Sequence, residues 1–174
     1  MMCEQSRPDD LVRDVCRAEE AGFDFSVISD HFQPWLSSQG HSGYAWSILG
    51  AAAQATERIG LMSYVTCPTL RYHPAIVAQK AATVQILSGN RFRLGLGAGE
   101  NLNEHVESAT QSVTREDVAD QLACGPDVEE HVEKIKPFID AGYTEIALVQ
   151  IGADHQQPFT EWAERELLPA LRAL

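Results

Sequence analysis

The chain has 174 residues, of which 44% are hydrophobic and 22% are charged, and its formal net charge is −12. This composition is typical of one globular domain, and the acidic balance argues against nucleic acid and against an anionic membrane as partners, because both select a basic surface. No apolar run approaches the roughly 18 residues of a membrane span, and residues 1–5 lack the basic and apolar segments of a signal peptide. We therefore expect a cytoplasmic protein.

Cysteine and histidine are distributed in a way that argues against a metal centre. The four cysteines are scattered and show no CxxC spacing, which predicts reduced thiols and no disulfide framework. The histidines other than His31 show no metal-ligand spacing. We predict that the protein holds no metal.

Helices and strands alternate in the first hundred residues. Pro8 suits a first helical turn, apolar side chains follow at helical spacing, and Gly22 ends the helix. The elements predicted next are strands over 23–29, 59–65 and 92–96 and helices over 44–56 and 74–87. Strand–helix units that repeat about every 35 residues indicate a parallel α/β sheet.

The pattern changes after residue 100. Thr114 and Asp117 are spaced as a capping box that opens a short helix. A helical apolar stripe follows over 128–139, where Pro137 should introduce a kink, and Gly142 ends it. The other predicted elements are a half-strand over 1–5, a buried strand over 145–151, and a closing helix over 159–174 that Pro169 interrupts. Four clear strands make half of an eight-stranded barrel of about 250 residues, so the chain is either a small open sheet or a barrel with a piece missing.

An acid and an imidazole stand at the end of the first predicted strand. Asp30 and His31 follow an apolar run, and Pro34 then forces the chain out of regular structure. Parallel α/β sheets present chemistry at the carboxyl ends of their strands, and histidine is suited to proton transfer near neutral pH. Phe32 and Trp35 would pack on a flat ring. The alternative is a surface loop in which Asp30 only caps the next turn.

Two further strand ends carry the same kind of signal. The run from Tyr64 to Pro68 places a backbone turn at the mouth of the sheet, or is simply a strand end broken by proline. Gly95 to Glu100 does not match GxGxxG, so these glycines indicate close approach of the backbone to a ligand or another strand. Glu100 and Asn103 project from one turn, or belong to a solvated loop.

Several segments together resemble the luciferase-like family of flavin and deazaflavin oxidoreductases, and in particular the branch of coenzyme F420-dependent glucose-6-phosphate dehydrogenases and their relatives. The segments are Glu4-Gln5, Ser29–Trp35, Cys67–Pro74 with Ala78-Gln79, Gly95–Glu104, Cys124–Asp127, Ala141–Tyr143 and Ala147–Gln150. The resemblance implies a (β/α)8 TIM barrel, present here as a partial barrel in a single domain over 1–174. Residues 1–105 would correspond to the first four units and residues 108–174 to the end, with strands five to seven absent.

The resemblance also implies residue roles. The implied catalytic residues are His31, as an acid/base, with Glu100, Glu4 and Trp35. The implied cofactor-binding residues are Asp30, His31, Tyr64, Val65, Cys67, Gly99 and Asn103. The bond between Tyr64 and Val65 matches the position of a non-prolyl cis peptide in the family.

The chemistry that the resemblance implies is hydride transfer between a carbon of a small organic substrate and C5 of coenzyme F420. The basic residues that hold a sugar phosphate in the family lie in the absent middle, so glucose 6-phosphate has no support as a substrate. One alternative is an FMN-dependent monooxygenase or reductase. The other is a non-catalytic assembly module, whose open sheet edges would pair in a homodimer or a larger assembly.

Overall fold

The computed structural model describes residues 1–99 and 113–174. The elements in chain order are α1 (Pro8–Glu20), β1 (Phe25–Ile28), α2 (Ala45–Ala55), β2 (Gly60–Thr66), α3 (Pro68–Arg71), α4 (Pro74–Leu87), β3 (Phe92–Leu96), α5 (Arg115–Gln121), α6 (Val128–Asp140), α7 (Gln156–Trp162), a π-helical turn (Ala163–Leu167) and α8 (Leu168–Arg172). The chain forms two compact units. The first contains residues 1–99 and 149–160, and the described part of the second contains residues 113–148 and 161–174. No helix among the described residues is long and apolar enough to cross a membrane.

The three strands of the first unit form a parallel sheet in the order β1-β2-β3. Phe25 pairs with Gly60 and Ile28 with Ser63, while Leu61 pairs with Phe92. A helix lies between each pair of strands in the chain, because parallel neighbours require a crossover connection. The predicted α/β class with a parallel sheet is confirmed, and so are the first three predicted strands and the helices between them.

The core of the first unit lies between the sheet and the helices α1 and α2. Apolar side chains of the helices and of the sheet fill this core, and full burial of each large one contributes about 1.5–3 kcal/mol. Besides Trp46, the large side chains are Leu11, Val15, Ile28, Ile48, Leu49, Ile59, Leu61, Val84 and Phe92. The rings of Trp46 and Phe92 pack with centroids 5.7 Å apart, which fixes α2 against β3.

The amino-terminal edge of the sheet is tied by two charged side chains. The carboxylate of Glu19 accepts the backbone N–H groups of residues 57, 58 and 59. The guanidinium of Arg91 donates five hydrogen bonds at 2.7–3.0 Å to Ala53, Thr56, Ile59 and Ser88. The Arg91 bonds satisfy backbone carbonyls where α2 and α4 end. The amino-terminal edge of the sheet thus has a structural role, and the candidate site lies at the carboxyl edge.

Two predicted strands are wrong. Residues 1–5 form a turn, in which the N–H of Gln5 donates to the carbonyl of Met2 at 3.1 Å. Residues 145–151 form no strand, and Val149 and Ile151 are exposed. A continuous apolar run becomes a strand only where neighbouring strands satisfy its backbone, and no described strand pairs with this one.

The second unit is helical. Thr114 and Asp117 form the predicted capping box at the start of α5. The ammonium of Lys134 on α6 donates to two carbonyls at the end of α5, each at 2.7 Å. Pro137 lies inside α6, and the closing helix is interrupted by a π-helical turn just before Pro169. The assignment of residues 108–174 to the end of the same barrel domain stays a prediction.

Candidate active site

The predicted site residues that the structure describes lie at or near the carboxyl ends of the three parallel strands. β1 leads directly into Ser29, Asp30 and His31, and β2 leads into Cys67 and the short helix α3. β3 leads into the glycine-rich segment 97–99. Because the carboxyl ends of parallel strands meet at one edge, these three segments share that edge of the sheet.

Asp30 is the centre of a buried hydrogen-bond cluster, and its side chain has no exposed area. Its Oδ2 accepts from the indole N–H of Trp46 and from the hydroxyl of Thr66, both at 2.9 Å. Its Oδ1 accepts from Nη1 of Arg71 at 2.9 Å and from the hydroxyl of Tyr72 at 3.1 Å. Four donors therefore hold one carboxylate, which joins the ends of β1 and β2 to α2 and to the segment 71–72. A surface loop with a capping Asp30 does not describe this site.

His31, the neighbour of Asp30 in the chain, is hydrogen bonded to Glu4. The Nδ1 of His31 lies 2.5 Å from Oε1 of Glu4, and the Glu4 side chain is only 2% exposed. The hydroxyl of Ser29 reaches both oxygens of Glu4 at 3.0 Å. Because a carboxylate only accepts hydrogen bonds, this geometry places the proton on Nδ1 and leaves Nε2 for a ligand. The turn at residues 1–5 thus places the Glu4 carboxylate within hydrogen-bond distance of His31.

The ionisation of Glu4 reflects these partners. Burial acts to raise the pKa of Glu4, but the hydrogen bonds from His31, the backbone and Ser29 outweigh burial, so the pKa lies below its ordinary value of 4.5. Glu4 is therefore a carboxylate near neutral pH. Beside it, burial and the nearby charge of Glu4 raise the pKa of the Cys3 thiol to about 12, which makes Cys3 a neutral core residue.

Two aromatic side chains follow His31 on the loop after β1, and one of them, Trp35, packs beside the imidazole. The ring of Trp35 lies 5.2 Å from the His31 ring, tilted by 37°, and 45% of Trp35 is exposed. Phe32 is 78% exposed. The hydroxyl of Ser42 donates to the carbonyl of Phe32 at 2.6 Å and fixes the loop across its base. That Phe32 and Trp35 pack on a flat ring stays a prediction.

The end of β2 is unusual in its backbone. The peptide bond between Tyr64 and Val65 is cis, which confirms the prediction from the family resemblance. A β-carbon on Gly97 would lie 2.7 Å from Cγ2 of Val65 and 3.1 Å from Sγ of Cys67. Gly97 therefore allows the chain after β3 to lie directly against the end of β2, and its N–H donates to the carbonyl of Thr66 at 3.0 Å.

Gly99 continues this contact. Its φ is +79°, a conformation that favours glycine, and its β-carbon position lies 3.5 Å from Cβ of Cys67. The predicted close approach of a glycine segment to another strand is confirmed at these positions. The structure thus joins Val65, Cys67 and Gly99 in one cluster. Glu100 and Asn103 lie outside the described residues.

Two cations, Arg71 and Lys80, lie against Tyr72 of the Asp30 cluster and were not predicted from the sequence. Arg71 lies over the rings of Phe32, Tyr44 and Tyr72, with its Cζ 4.9 Å from the Tyr72 centroid. The ammonium of Lys80 lies 3.3 Å from the same Tyr72 centroid. Arg71 and Tyr72 belong to the segment Cys67–Pro74, which resembles the family. Lys80 lies on the next helix, α4, and no motif in the sequence points to it.

The first hundred residues account for the family match. A family model described as luciferase-like monooxygenase matches residues 2–107. The chain belongs to the luciferase-like monooxygenase family. The matched range contains the Asp30 cluster, the Glu4–His31 pair and the cis peptide, so the family assignment and the geometry concern the same part of the chain.

Curated relatives of this luciferase-like chain match more than half of its length. An F420-dependent glucose-6-phosphate dehydrogenase of Beutenbergia cavernae is 50% identical over 101 residues, which is 58% of this chain and 30% of the relative. An F420-dependent hydroxymycolic acid dehydrogenase of Mycobacterium tuberculosis is 46% identical over 113 residues, which is 65% of this chain and 31% of the relative. The chain thus spans about 30% of the length of the curated relatives it matches.

Solved structures are similar as well. An F420-dependent secondary alcohol dehydrogenase in complex with an F420–acetone adduct has a TM-score of 0.54 and 34% identity, covering 85% of this chain and 42% of that one. A coenzyme F420-dependent tetrahydromethanopterin reductase of Methanopyrus kandleri has a TM-score of 0.51 and 27% identity, covering 62% of this chain and 28% of that one. The three-stranded sheet of this luciferase-like chain is consistent with part of a TIM barrel.

Proposed function

We propose that the chain is an oxidoreductase that uses coenzyme F420 and transfers a hydride between a carbon of a small organic substrate and C5 of the deazaflavin. The observation that carries the proposal is the Glu4–His31 pair beside Trp35 at the carboxyl edge of the sheet. Relatives at 46–50% identity named as F420-dependent dehydrogenases support F420 over the alternative FMN.

The residues at this edge fit a flat, partly apolar ring system. Trp35 and Tyr64 are exposed, while Val65 and Cys67 lie against the glycine segment that follows β3. The proposed cofactor-binding residues are Asp30, His31, Tyr64, Val65, Cys67, Gly99 and Asn103. When bound, the deazaflavin supplies the carbon that gives or takes the hydride. Because the Asp30 carboxylate already accepts four hydrogen bonds, its proposed part in cofactor binding is indirect: Asp30 fixes the strand ends that carry His31 and Cys67.

The proton accompanying the hydride is assigned to His31. With its Nδ1 proton held by Glu4, the imidazole can present Nε2 to a substrate hydroxyl or carbonyl oxygen. Glu4 keeps the ring in that orientation and stabilises the imidazolium that forms when Nε2 takes a proton. Trp35, which packs beside the ring, and Glu100 complete the proposed catalytic set.

A fluorescence titration with coenzyme F420, with FMN in parallel, tests the proposal. We expect saturable F420 binding at least tenfold tighter than FMN binding, and weaker F420 binding in Trp35→Ala because an exposed ring beside the site is lost. Phe138→Ala, which removes an exposed aromatic of the second unit, is the matched control and should bind F420 as the unchanged chain does. Equal affinity for both flavins, or none for either, would contradict the proposal.

We also propose that the chain self-associates through β3. This strand is at the edge of the described sheet, and Leu94, Leu96 and, on α4, Ile86 are exposed. Open edges with apolar side chains favour pairing with another chain. Sedimentation equilibrium should show a dimer or a larger species, and Leu96→Lys should shift the distribution toward monomer. A monomer at every concentration would overturn this assignment.

We propose a cytoplasmic location. The four cysteines are all free, and Cys16 and Cys67 are only partly buried. Free thiols are typical of a reducing compartment. Thiol counting on protein taken directly from cells under acid quench should give four reduced thiols, and a disulfide would contradict the location.

A further inference from the structure

Two cations share the same pair of aromatic rings near the site. The Cζ of Arg71 lies 4.9 Å from the Tyr72 centroid and 5.9 Å from the Tyr44 centroid. The Nζ of Lys80 lies 3.3 Å and 5.0 Å from the same two centroids. Like charges repel, so holding both against shared rings is costly unless the rings or a bound anion offset the repulsion.

The carboxylates of the described residues offset this charge only in part. In residues 1–99 and 113–174, Asp30 is the one carboxylate within ion-pair distance of Arg71, and none lies within that distance of Lys80. Nη1 of Arg71 donates to the backbone carbonyl and to Oδ1 of Asp30, which leaves the guanidinium with further N–H groups of fixed direction. The Arg71 side chain is 24% exposed. Among the described residues the cluster thus carries more positive than negative charge, in a chain whose net charge is −12.

The cluster is also preorganised. Arg71 is fixed at two points on Asp30, the backbone carbonyl at 3.0 Å and Oδ1 at 2.9 Å. Phe32, on the loop that carries His31, lies against the same guanidinium at 5.8 Å. A guanidinium held in one orientation beside apolar rings binds an anion at a smaller entropic cost than a free surface arginine does.

We propose that Arg71 and Lys80 form an anion-binding subsite that takes a carboxylate or phosphate group of the ligand bound beside His31. In this proposal Arg71 provides directed hydrogen bonds through guanidinium nitrogens other than Nη1, and Lys80 provides the second charge. The existence of the subsite follows from the cluster alone. Its assignment to a ligand that reacts at His31 rests on the proposed function.

Inorganic phosphate is the probe. Binding is measured by chemical-shift titration of backbone amides in the full chain, with ionic strength held constant by sodium chloride. We expect saturable shifts at residues 71–72 and 80, and we expect Lys80→Met to weaken phosphate binding about fivefold or more because one charge is lost. Lys136→Met removes an equally positive, exposed side chain from a helix of the second unit and should leave phosphate binding unchanged.

Arg71→Lys keeps the charge and loses the planar donors. We expect it to weaken phosphate binding also, whereas a subsite that uses charge alone would tolerate this change. The proposal is overturned if Lys80→Met binds phosphate as the unchanged chain does, or if phosphate shifts no resonance in the cluster.

A second titration in saturating F420 identifies the source of the anion. If phosphate binds without displacing F420, the subsite takes an anionic group of the substrate. If phosphate competes with F420, the subsite takes an anionic group of the cofactor. Because the first titration contains no flavin, a chain that fails to bind F420 but binds phosphate at Lys80 refutes the proposed function and leaves the subsite standing.

Discussion

Asp30→Asn is expected to lower the free energy of unfolding of the first unit by about 3–5 kcal/mol, since it removes the charge of a fully buried carboxylate and leaves the partly exposed Arg71 without its ion-pair partner. The asparagine amide offers one acceptor atom and one donor group where the carboxylate offers two acceptors. Whichever way the amide is turned, its NH2 group faces either the Trp46 and Thr66 donors or the Arg71 and Tyr72 donors. Two donors therefore lose their acceptor around a side chain that has no exposed area.

Urea unfolding followed by tryptophan fluorescence and circular dichroism measures this effect. Thr66→Val is a milder variant, because Oδ2 of Asp30 keeps the Trp46 donor, and we expect a loss of about 1 kcal/mol. Asp9→Asn is the matched control, since Asp9 makes only exposed ion pairs with Arg7 and Arg13, and its unfolding midpoint should scarcely move. Equal midpoints for Asp30→Asn and Asp9→Asn would show that the cluster does not hold the strand ends together.

The fold was predictable where local signals agreed with tertiary neighbours. Pro8 and Gly22 bracket α1, and the buried apolar runs became strands where a parallel partner lay beside them. The run over 145–151 has the same local pattern as β2, yet it forms no strand. Hydrophobicity alone cannot distinguish these runs, because backbone pairing depends on what lies beside them in space.

The candidate site was predictable where residues adjoin a strand end. Asp30, His31 and Cys67 closely follow strands, so their position at the carboxyl edge of the sheet could be predicted from the sequence. The side chains that contact them could not be predicted in this way. Trp46, Thr66, Tyr72 and Lys80 come from four different places in the sequence, and only packing of α2, α3 and α4 against the sheet brings them to Asp30 and Arg71. The same holds for Glu4, whose contact with His31 spans 27 residues.

If the proposed function holds, Glu4→Gln is expected to lower the rate of hydride transfer by about 10²–10⁴-fold while changing the dissociation constant for F420 only a few-fold. Glutamine keeps the length of the side chain but loses the charge that holds the Nδ1 proton of His31 and stabilises the imidazolium. His31→Asn should give a loss of similar size. The double variant should be no slower than the slower single variant, because two residues that act as one unit are not additive.

The same variant has a signature in stability that does not depend on catalysis. Because the pKa of Glu4 is lowered in the folded protein, ionised Glu4 contributes stability that is fully present above its ordinary pKa of 4.5 and is lost as pH falls through the lowered folded pKa. The excess stability of the unchanged chain over Glu4→Gln should therefore be greatest near neutral pH and shrink below about pH 4.5. Glu20→Gln, an exposed change on α1, is the control. A pH-independent difference would mean that Glu4 is not held as a carboxylate, and additive rate losses in the double variant would mean that Glu4 and His31 do not work as a pair.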